Sequence, residues 1–368
     1  MINIGITGSN GLIGYHLRVF LENKKEVSVH LADRETFSSS ESLEDFTCDL
    51  DVVVHLADKN VGADKDLREI NMNISKALTD AFEKSENKIH LIFASSTHTI
   101  INPKAAYSVS KVECSDYLNN WCNNHDCHFT NLVIPHVFGE FGKPFYNSVV
   151  SSFCYQLANN EATKIIDDKE LELLHAFDVA KGIFEIIQKK DFGQQRLSGS
   201  SVSVVNLREK LAHLSELYSQ NIVPALETQL DCQLFNTYRS YLPKDYYPRE
   251  YKLNIDDRGM LFESIKAEQS GLTFASTTKP GVTRGNHYHV DKFERFIVLD
   301  GEATIRFRRL YNSNVESFTV SGEKPSYVDI PTFTTHNITN TGSTNLLTLF
   351  WSNVFYDEQN PDTYFEEV

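Results

Sequence analysis

Apolar residues recur along the first two-thirds of the chain in two alternating rhythms. Short apolar blocks at Ile2–Thr7, Val27–Ala32, Asp51–Leu56, His90–Ser95 and His128–Ile134 predict strands. Amphipathic stretches between them, among them Leu12–Glu22, Leu67–Phe82 and Tyr107–Trp121, predict helices. This alternation predicts an α/β fold of the Rossmann type, a doubly wound parallel sheet with helices on both faces. After about residue 245 the rhythm changes. The segment Tyr241-Leu-Pro-Lys-Asp-Tyr-Tyr-Pro248 is punctuated by proline and has no period. Beyond it come short alternating runs at Thr273–Thr278, Phe296–Leu299, Ala303–Arg308, Val315–Val320 and Leu346–Trp351, separated by glycine and polar residues. That pattern predicts an antiparallel, all-β sandwich or barrel. The reading therefore divides the chain into domains 1–245 and 246–368.

Composition narrows the function classes. The chain has 368 residues, room for two cores, and a formal net charge of −15. Such an acidic balance argues against nonspecific binding to nucleic acid or an anionic membrane. It leaves an anionic substrate open, because backbone N–H groups and one or two local cations can hold a phosphate. No apolar stretch is long enough to span a bilayer, and Met1-Ile-Asn-Ile-Gly5 has no signal-peptide character, so a cytoplasmic location is expected. Six scattered cysteines read as reduced thiols. Cys122, His125, Cys127 and His128 cluster across a predicted helix–strand junction and are not read as a metal site.

The first candidate site opens the chain. Gly5-Ile-Thr-Gly8-Ser-Asn-Gly11-Leu12-Ile13-Gly14 follows the first strand and starts the first helix. Gly8 suits the tight turn, Gly11 lets backbone approach a pyrophosphate, and Gly14 lets helix pack on strand. The helix N-terminus, at Leu12 and Ile13, then faces the anion. Asp33 and Arg34 follow the second strand, where the adenosine ribose should lie. An acid there favours the 2′-hydroxyl of NAD and an arginine the 2′-phosphate of NADP, so the pair alone leaves the choice open. Leu56 and Ala57 follow the third strand and would flank the cofactor.

Downstream, Tyr107 and Lys111 are four apart and share one helical face. A neighbouring cation lowers a phenol's pKa and readies it for proton transfer. Ser95-Ser96-Thr97 ends a strand and could hydrogen-bond a substrate oxygen. In this order, after this glycine loop, the set resembles the extended short-chain dehydrogenase/reductase family over about residues 1–240. The resemblance implies a catalytic set of Ser96 or Thr97 with Tyr107 and Lys111. It matches Asn73 to the family's helix asparagine and Phe177-Asp-Val-Ala180 to a later segment. Dehydratases of that family carry an Asp-Glu pair where this chain reads Thr97-His98-Thr99, so reduction or redox epimerisation is favoured over water elimination.

A second constellation spells G-x5-H-x-H-x4-E-x6-G, with Gly281, His287, His289, Glu294 and Gly301. His287 and His289 are two apart and would point to one face of a strand. His336, in Pro331-Thr-Phe333-Thr-Thr-His336, supplies a fourth ligand. These segments resemble the two cupin motifs, with Phe333 where glycine is expected. Three imidazoles and a carboxylate suit zinc, iron, manganese or nickel.

Taken whole, the chain resembles the bifunctional bacterial capsule-sugar enzymes that make UDP-2-acetamido-2,6-dideoxy-β-L-talose. Segments carrying the likeness include Pro135-His-Val-Phe-Gly139, Asp256-Asp-Arg-Gly259 and Asn360-Pro-Asp-Thr-Tyr-Phe365. The resemblance implies that the cupin epimerises C-3 of a UDP-4-keto-6-deoxy amino sugar and that the reductase then reduces C-4. It implies NADPH as reductant and zinc as metal, and the strand edges and apolar faces that cupin barrels often expose predict a homodimer. Lys292, inside the metal segment, is a candidate base. An NAD-dependent 4-epimerase with an accessory cupin and a sugar-sensing binding protein are the alternatives.

Overall fold

The computed structural model describes residues 1–368 apart from 86–87, 252–253, 257–258, 262–264, 269–271 and 355–358. The chain forms two compact units, residues 1–152 with 165–207, and residues 153–164 with 208–368. The proline-rich segment at 241–248 lies inside the second of these.

In the first unit the strands are β1 (Ile2–Thr7), β2 (Val27–Ala32), β3 (Val52–His55), β4 (His90–Ser96), β5 (His128–Ile134), β6 (His136–Phe138), β7 (Glu170–His175), β8 (Gly193–Arg196) and β9 (Ser200–Ser203). The helices are α1 (Leu12–Glu22), α2 (Ser40–Thr47), α3 (Asp64–Ser85), α4 (His98–Ile101), α5 (Ala106–Asn124), α6 (Val149–Ala158), α7 (Ala176–Lys189) and α8 (Val204–Ser219), with α6 and α8 crossing the unit boundaries. Six strands form one parallel sheet in the order β2-β1-β3-β4-β5-β8. Strand residues alternate between its faces. Val52 and Val54 pack with Leu17, Leu21, Ile183 and Ile187 of α1 and α7. Val53 points the other way, to Leu43, Leu78, Leu118 and Trp121 of α2, α3 and α5. Helices therefore cover both faces, as the rhythm predicts. The ends of β1, β3 and β4 line up along one edge, where the candidate residues gather.

The second unit continues with α9 (Gln229–Arg239), opened by a capping box between Thr228 and Asp231. Its strands are β10 (Ile222–Val223), β11 (Arg249–Glu250), β12 (Asn254–Asp256), β13 (Gly259–Leu261), β14 (Lys266–Ala267), β15 (Leu272–Thr278), β16 (Thr283–Tyr288), β17 (Glu294–Asp300), β18 (Glu302–Arg309), β19 (Val315–Ser321), β20 (Ser326–Ile330), β21 (Thr334–Asn340), β22 (Leu346–Ser352) and β23 (Tyr364–Phe365). Two five-stranded antiparallel sheets result, β11-β20-β17-β22-β15 and β19-β18-β21-β16-β23. Phe296, Ile305, Val328, Ile338 and Phe350 fill the space between them. Behind the first sheet, buried Arg295 of β17 pairs with Asp329 of β20 through bonds of 2.7 and 3.0 Å. The Tyr218 hydroxyl of α8 donates to the same carboxylate. Part of the motif Asp256-Asp-Arg-Gly259 lies outside the described residues.

Candidate active site and metal centre

The nucleotide end is built from steric limits. Gly8 has φ +68°, and a Cβ there would stand 2.9 Å from the Ala57 nitrogen. At Gly14 a Cβ would meet the Gly8 carbonyl at 2.4 Å. The loop, the end of β3 and the first turn of α1 therefore pack closer than any side chain permits. Thr7 locks the junction. Its Oγ1 accepts the N–H groups of Leu56 and Ala57, both at 3.1 Å, and meets His55 Nδ1 at 2.7 Å. Gly11 caps α1 with no side-chain bond, so the N–H groups around Leu12 and Ile13 face outward for an anion. An exposed glycine cap beside two positions, Gly8 and Gly14, that admit no side chain fits a dinucleotide phosphate. Beyond β2, Asp33 Oδ1 accepts the N–H groups of Thr36 at 3.2 Å and Glu35 at 2.9 Å. Those bonds, chiefly from Thr36, hold the carboxyl below its ordinary range. Arg34 beside it is exposed.

The candidate proton-transfer residues come together on the neighbouring strands and α5. Lys111 is buried, and its Nζ donates to the Ala94 carbonyl at 2.6 Å. The same ammonium lies 5.8 Å from the centre of the Tyr107 ring. Ser96 ends β4, and its side chain is one of the groups that act on the Tyr107 phenol. Thr97 is buried and starts the turn into α4, its N–H donating to Ile134 at 3.0 Å. Burial pushes the Tyr107 phenol up, and the pull of Lys111 only partly offsets it. His98 of α4 sets its ring edge-on to His136, 5.1 Å between centres, and 6.4 Å from the Tyr107 ring.

Sequence reasoning missed three features of this unit. Asp58, just past β3, pairs with Lys111 at 2.7 Å. Asn73 is exposed, and the helix asparagine that is buried and bonded is Asn71. It accepts the Lys59 N–H at 2.6 Å and donates to the Lys59 carbonyl and to Ser110 Oγ at 2.9 and 3.0 Å. An i,i+2 ambiguity in an Asn-Met-Asn run explains the difference, since only one of the two faces the core. The third is a buried trio in which His16 Nε2 and His175 Nε2 each lie 3.0 Å from one Glu140 oxygen. Phe177 donates its N–H to His175 Nδ1 at 3.3 Å, so His175 Nε2 carries a proton for Glu140 and is not a metal donor. Of the cysteine–histidine run, His125 stacks on Trp121 and His128 on Phe192, so these rings serve packing.

The barrel brings all four proposed ligands together. Their donor atoms, from His287, His289, Glu294 and His336, lie within 4.8 Å of one another. His289 Nδ1 donates to the Asp362 carbonyl at 2.6 Å, and His336 Nδ1 to the Thr334 carbonyl at 3.2 Å. Both Nε2 lone pairs therefore aim inward. Glu294 lies 3.3 Å from one and 3.7 Å from the other, without hydrogen-bond geometry. Both Nε2 atoms are buried and otherwise unpartnered. Burial, then His336 and His289, push His287 down to about 3, so it is neutral and able to ligate at neutral pH. Orphaned inward nitrogens beside a carboxylate fit a divalent transition metal. Phe333 adopts φ +55° with its ring fully buried, so this motif keeps the turn that a glycine would make. Lys292 Nζ donates to the Pro361 carbonyl at 3.2 Å and to Thr363 Oγ1 at 3.0 Å.

Comparison with known proteins follows this division. The model of the NAD dependent epimerase/dehydratase family matches residues 4–198, and that of the polysaccharide biosynthesis C-terminal domain matches residues 254–364. The chain belongs to the NAD dependent epimerase/dehydratase family. Over its whole length it is similar to the capsular polysaccharide assembling protein CapF from Staphylococcus aureus, with 30% identity, a TM-score of 0.63 and all of both chains covered. It is 29% identical over 364 residues to the UDP-2-acetamido-2,6-beta-L-arabino-hexul-4-ose reductase of Pseudomonas aeruginosa, covering 98% of this chain and 97% of that one. A UDP-N-acetylglucosamine 4-epimerase from Methanobrevibacter ruminantium shares the fold, at 19% identity, a TM-score of 0.54, and 65% of this chain and 98% of that chain covered. Among the described residues no helix is long and apolar enough to cross a membrane.

Proposed function

We propose that this chain is a bifunctional capsule sugar-nucleotide enzyme, with a reductase on residues 1–245, an epimerase on residues 246–368, and a homodimer as the working form. Its substrate is a UDP-4-keto-6-deoxy-N-acetylhexosamine. The observation that carries the reading is the pairing, in one chain, of a Tyr107–Lys111–Ser96 site with a three-histidine, one-carboxylate centre. One 4-keto sugar explains both. A hydrogen beside a ketone is acidic, and a metal held by His287, His289, Glu294 and His336 would polarise the keto oxygen and ease inversion at C-3. The ketone survives that step. In the other site NADPH supplies the hydride for C-4 while Ser96 orients the carbonyl oxygen and Tyr107 gives it a proton. The likeness to the Pseudomonas reductase supports this assignment.

Product NMR after incubation with UDP-4-keto-6-deoxy-N-acetylhexosamine and NADPH in deuterated water tests it. We expect stoichiometric NADPH oxidation and a C-3-inverted, C-4-reduced product carrying deuterium at C-3. Unconsumed NADPH with the ketone, together with interconversion of the two 4-hydroxy epimers when these are supplied with NAD, would instead support a 4-epimerase with an accessory barrel.

A further inference from the structure

Lys111 is a buried ammonium whose environment contains a group that the sequence motifs do not announce. The Asp58 carboxylate lies 2.7 Å from Nζ, with 17% of its side chain exposed against 5% for the lysine. Backbone on both sides of Asp58 is fixed. The Ala57 N–H is held by Thr7, and Lys59 is held at both its N–H and its carbonyl by Asn71. Asn71 also bonds Ser110, the residue before Lys111. The carboxylate is thus delivered to the ammonium by two elements already stitched to each other.

We propose that Asp58 is a positioning residue that holds Lys111 in place and charged, and so keeps Tyr107 a proton donor, committing the site to ketone reduction over alcohol oxidation. This rests on the reductase reading above. A cation beside a phenol, left uncompensated, favours the phenolate, which is the form that takes a proton from an alcohol during oxidation. A carboxylate paired with the cation cancels much of that pull. Reduction needs the opposite form. Hydride goes to the carbonyl carbon, and the Tyr107 proton goes to the oxygen.

The surrounding groups agree in sign. Around Lys111 stand Asp58, Tyr107, Cys114 and the neutral ring of His55. Burial lowers the ammonium's hold on its proton, yet Asp58 and then Tyr107 outweigh it and hold the group above its ordinary value. Around Tyr107 stand Lys111, Asp58, Ser96, Tyr146 and the edge of His98. Burial and Asp58 both favour the protonated phenol.

The test is Asp58→Asn, an isosteric change at a partly exposed position, with Asp58→Ser as a second variant should the first not fold. Removing the negative charge lowers every proton affinity in the pair, whichever of Tyr107 and Lys111 gives up its proton first. In the enzyme without cofactor, tyrosinate absorbance, with a Tyr107→Phe control subtracted, and NMR of nitrogen-15 lysine follow that first step. We expect it to move down by about one pH unit or more. In the full assay the alkaline limb of kcat for reduction should fall with it. The KM of the keto sugar should stay unchanged, and oxidation of the reduced sugar at neutral pH should gain relative to reduction. Asp58→Glu should restore most of the wild-type profile. A folded Asp58→Asn protein with an unmoved first ionisation overturns the proposal. A wild-type enzyme that reduces no keto sugar would overturn the reductase reading instead, and the cofactor-free titration separates the two failures.

Discussion

At the scale of single residues, two departures from motif turn out to have physical reasons. Phe333 stands in a left-handed conformation that costs a non-glycine residue roughly 1–2 kcal/mol. Its fully buried ring offsets that cost, since burying such a side chain contributes about 1.5–3 kcal/mol. Asp33 is likewise not free to act solely on a ribose, because it closes the turn at Glu35–Thr36. On the proposed NADPH reading, the exposed Arg34 beside it would meet the 2′-phosphate. Arg34→Ala should therefore lower the kcat/KM preference for NADPH over NADH by roughly ten- to a hundredfold, the worth of a charge-assisted hydrogen bond. Steady-state kinetics with both cofactors decide it. A wild-type enzyme that prefers NADH, or an unchanged ratio in the variant, would show that Arg34 does not read the phosphate.

At the scale of elements, the sequence was most legible where pattern is local. The strand predicted at His128–Ile134 and the helix at Leu12–Glu22 coincide with β5 and α1, because each is bounded by its own turn or capping residues. The four candidate metal ligands were legible for the same reason, since a short sequence spacing places three of them between the end of β16 and the start of β17. What supports those ligands was not legible. Asp362, 72 positions beyond Val290, accepts the N–H groups of Val290, Asp291 and Lys292 on its carboxylate, at 2.9, 2.9 and 2.7 Å. Its own carbonyl orients His289. Nothing in local pattern announces a contact at that distance along the chain. Groups that orient metal ligands typically contribute 10–100-fold in metal affinity. Asp362→Ala should release the His289 segment and weaken metal retention by about that factor, read by competition with a chromophoric chelator. Wild-type affinity in a folded variant would show that the tail is only a cover.

At the scale of the whole molecule, the same limit explains why Asp58 and the His16–Glu140–His175 trio went unseen while both motif sets were read. Motifs mark what must sit close in sequence. Charge compensation of a buried group is settled by whatever the fold brings near. Each compact unit carries one of the two candidate sites, so crossed variants should separate the halves of the proposed chemistry. Tyr107→Phe removes only the hydroxyl that would protonate the C-4 alkoxide in the proposed mechanism. It should cut NADPH oxidation by about 10²–10⁴-fold and leave deuterium exchange at C-3 intact. His336→Ala removes a buried ligand of the barrel centre. It should abolish metal binding and C-3 exchange while NADPH still binds with wild-type affinity, because the glycine loop belongs to the other unit. Exchange by NMR, NADPH absorbance and NADPH fluorescence titration on both variants give the four outcomes. Loss of C-3 exchange in a folded Tyr107→Phe protein would mean that one site performs both steps, and the division of labour would fall.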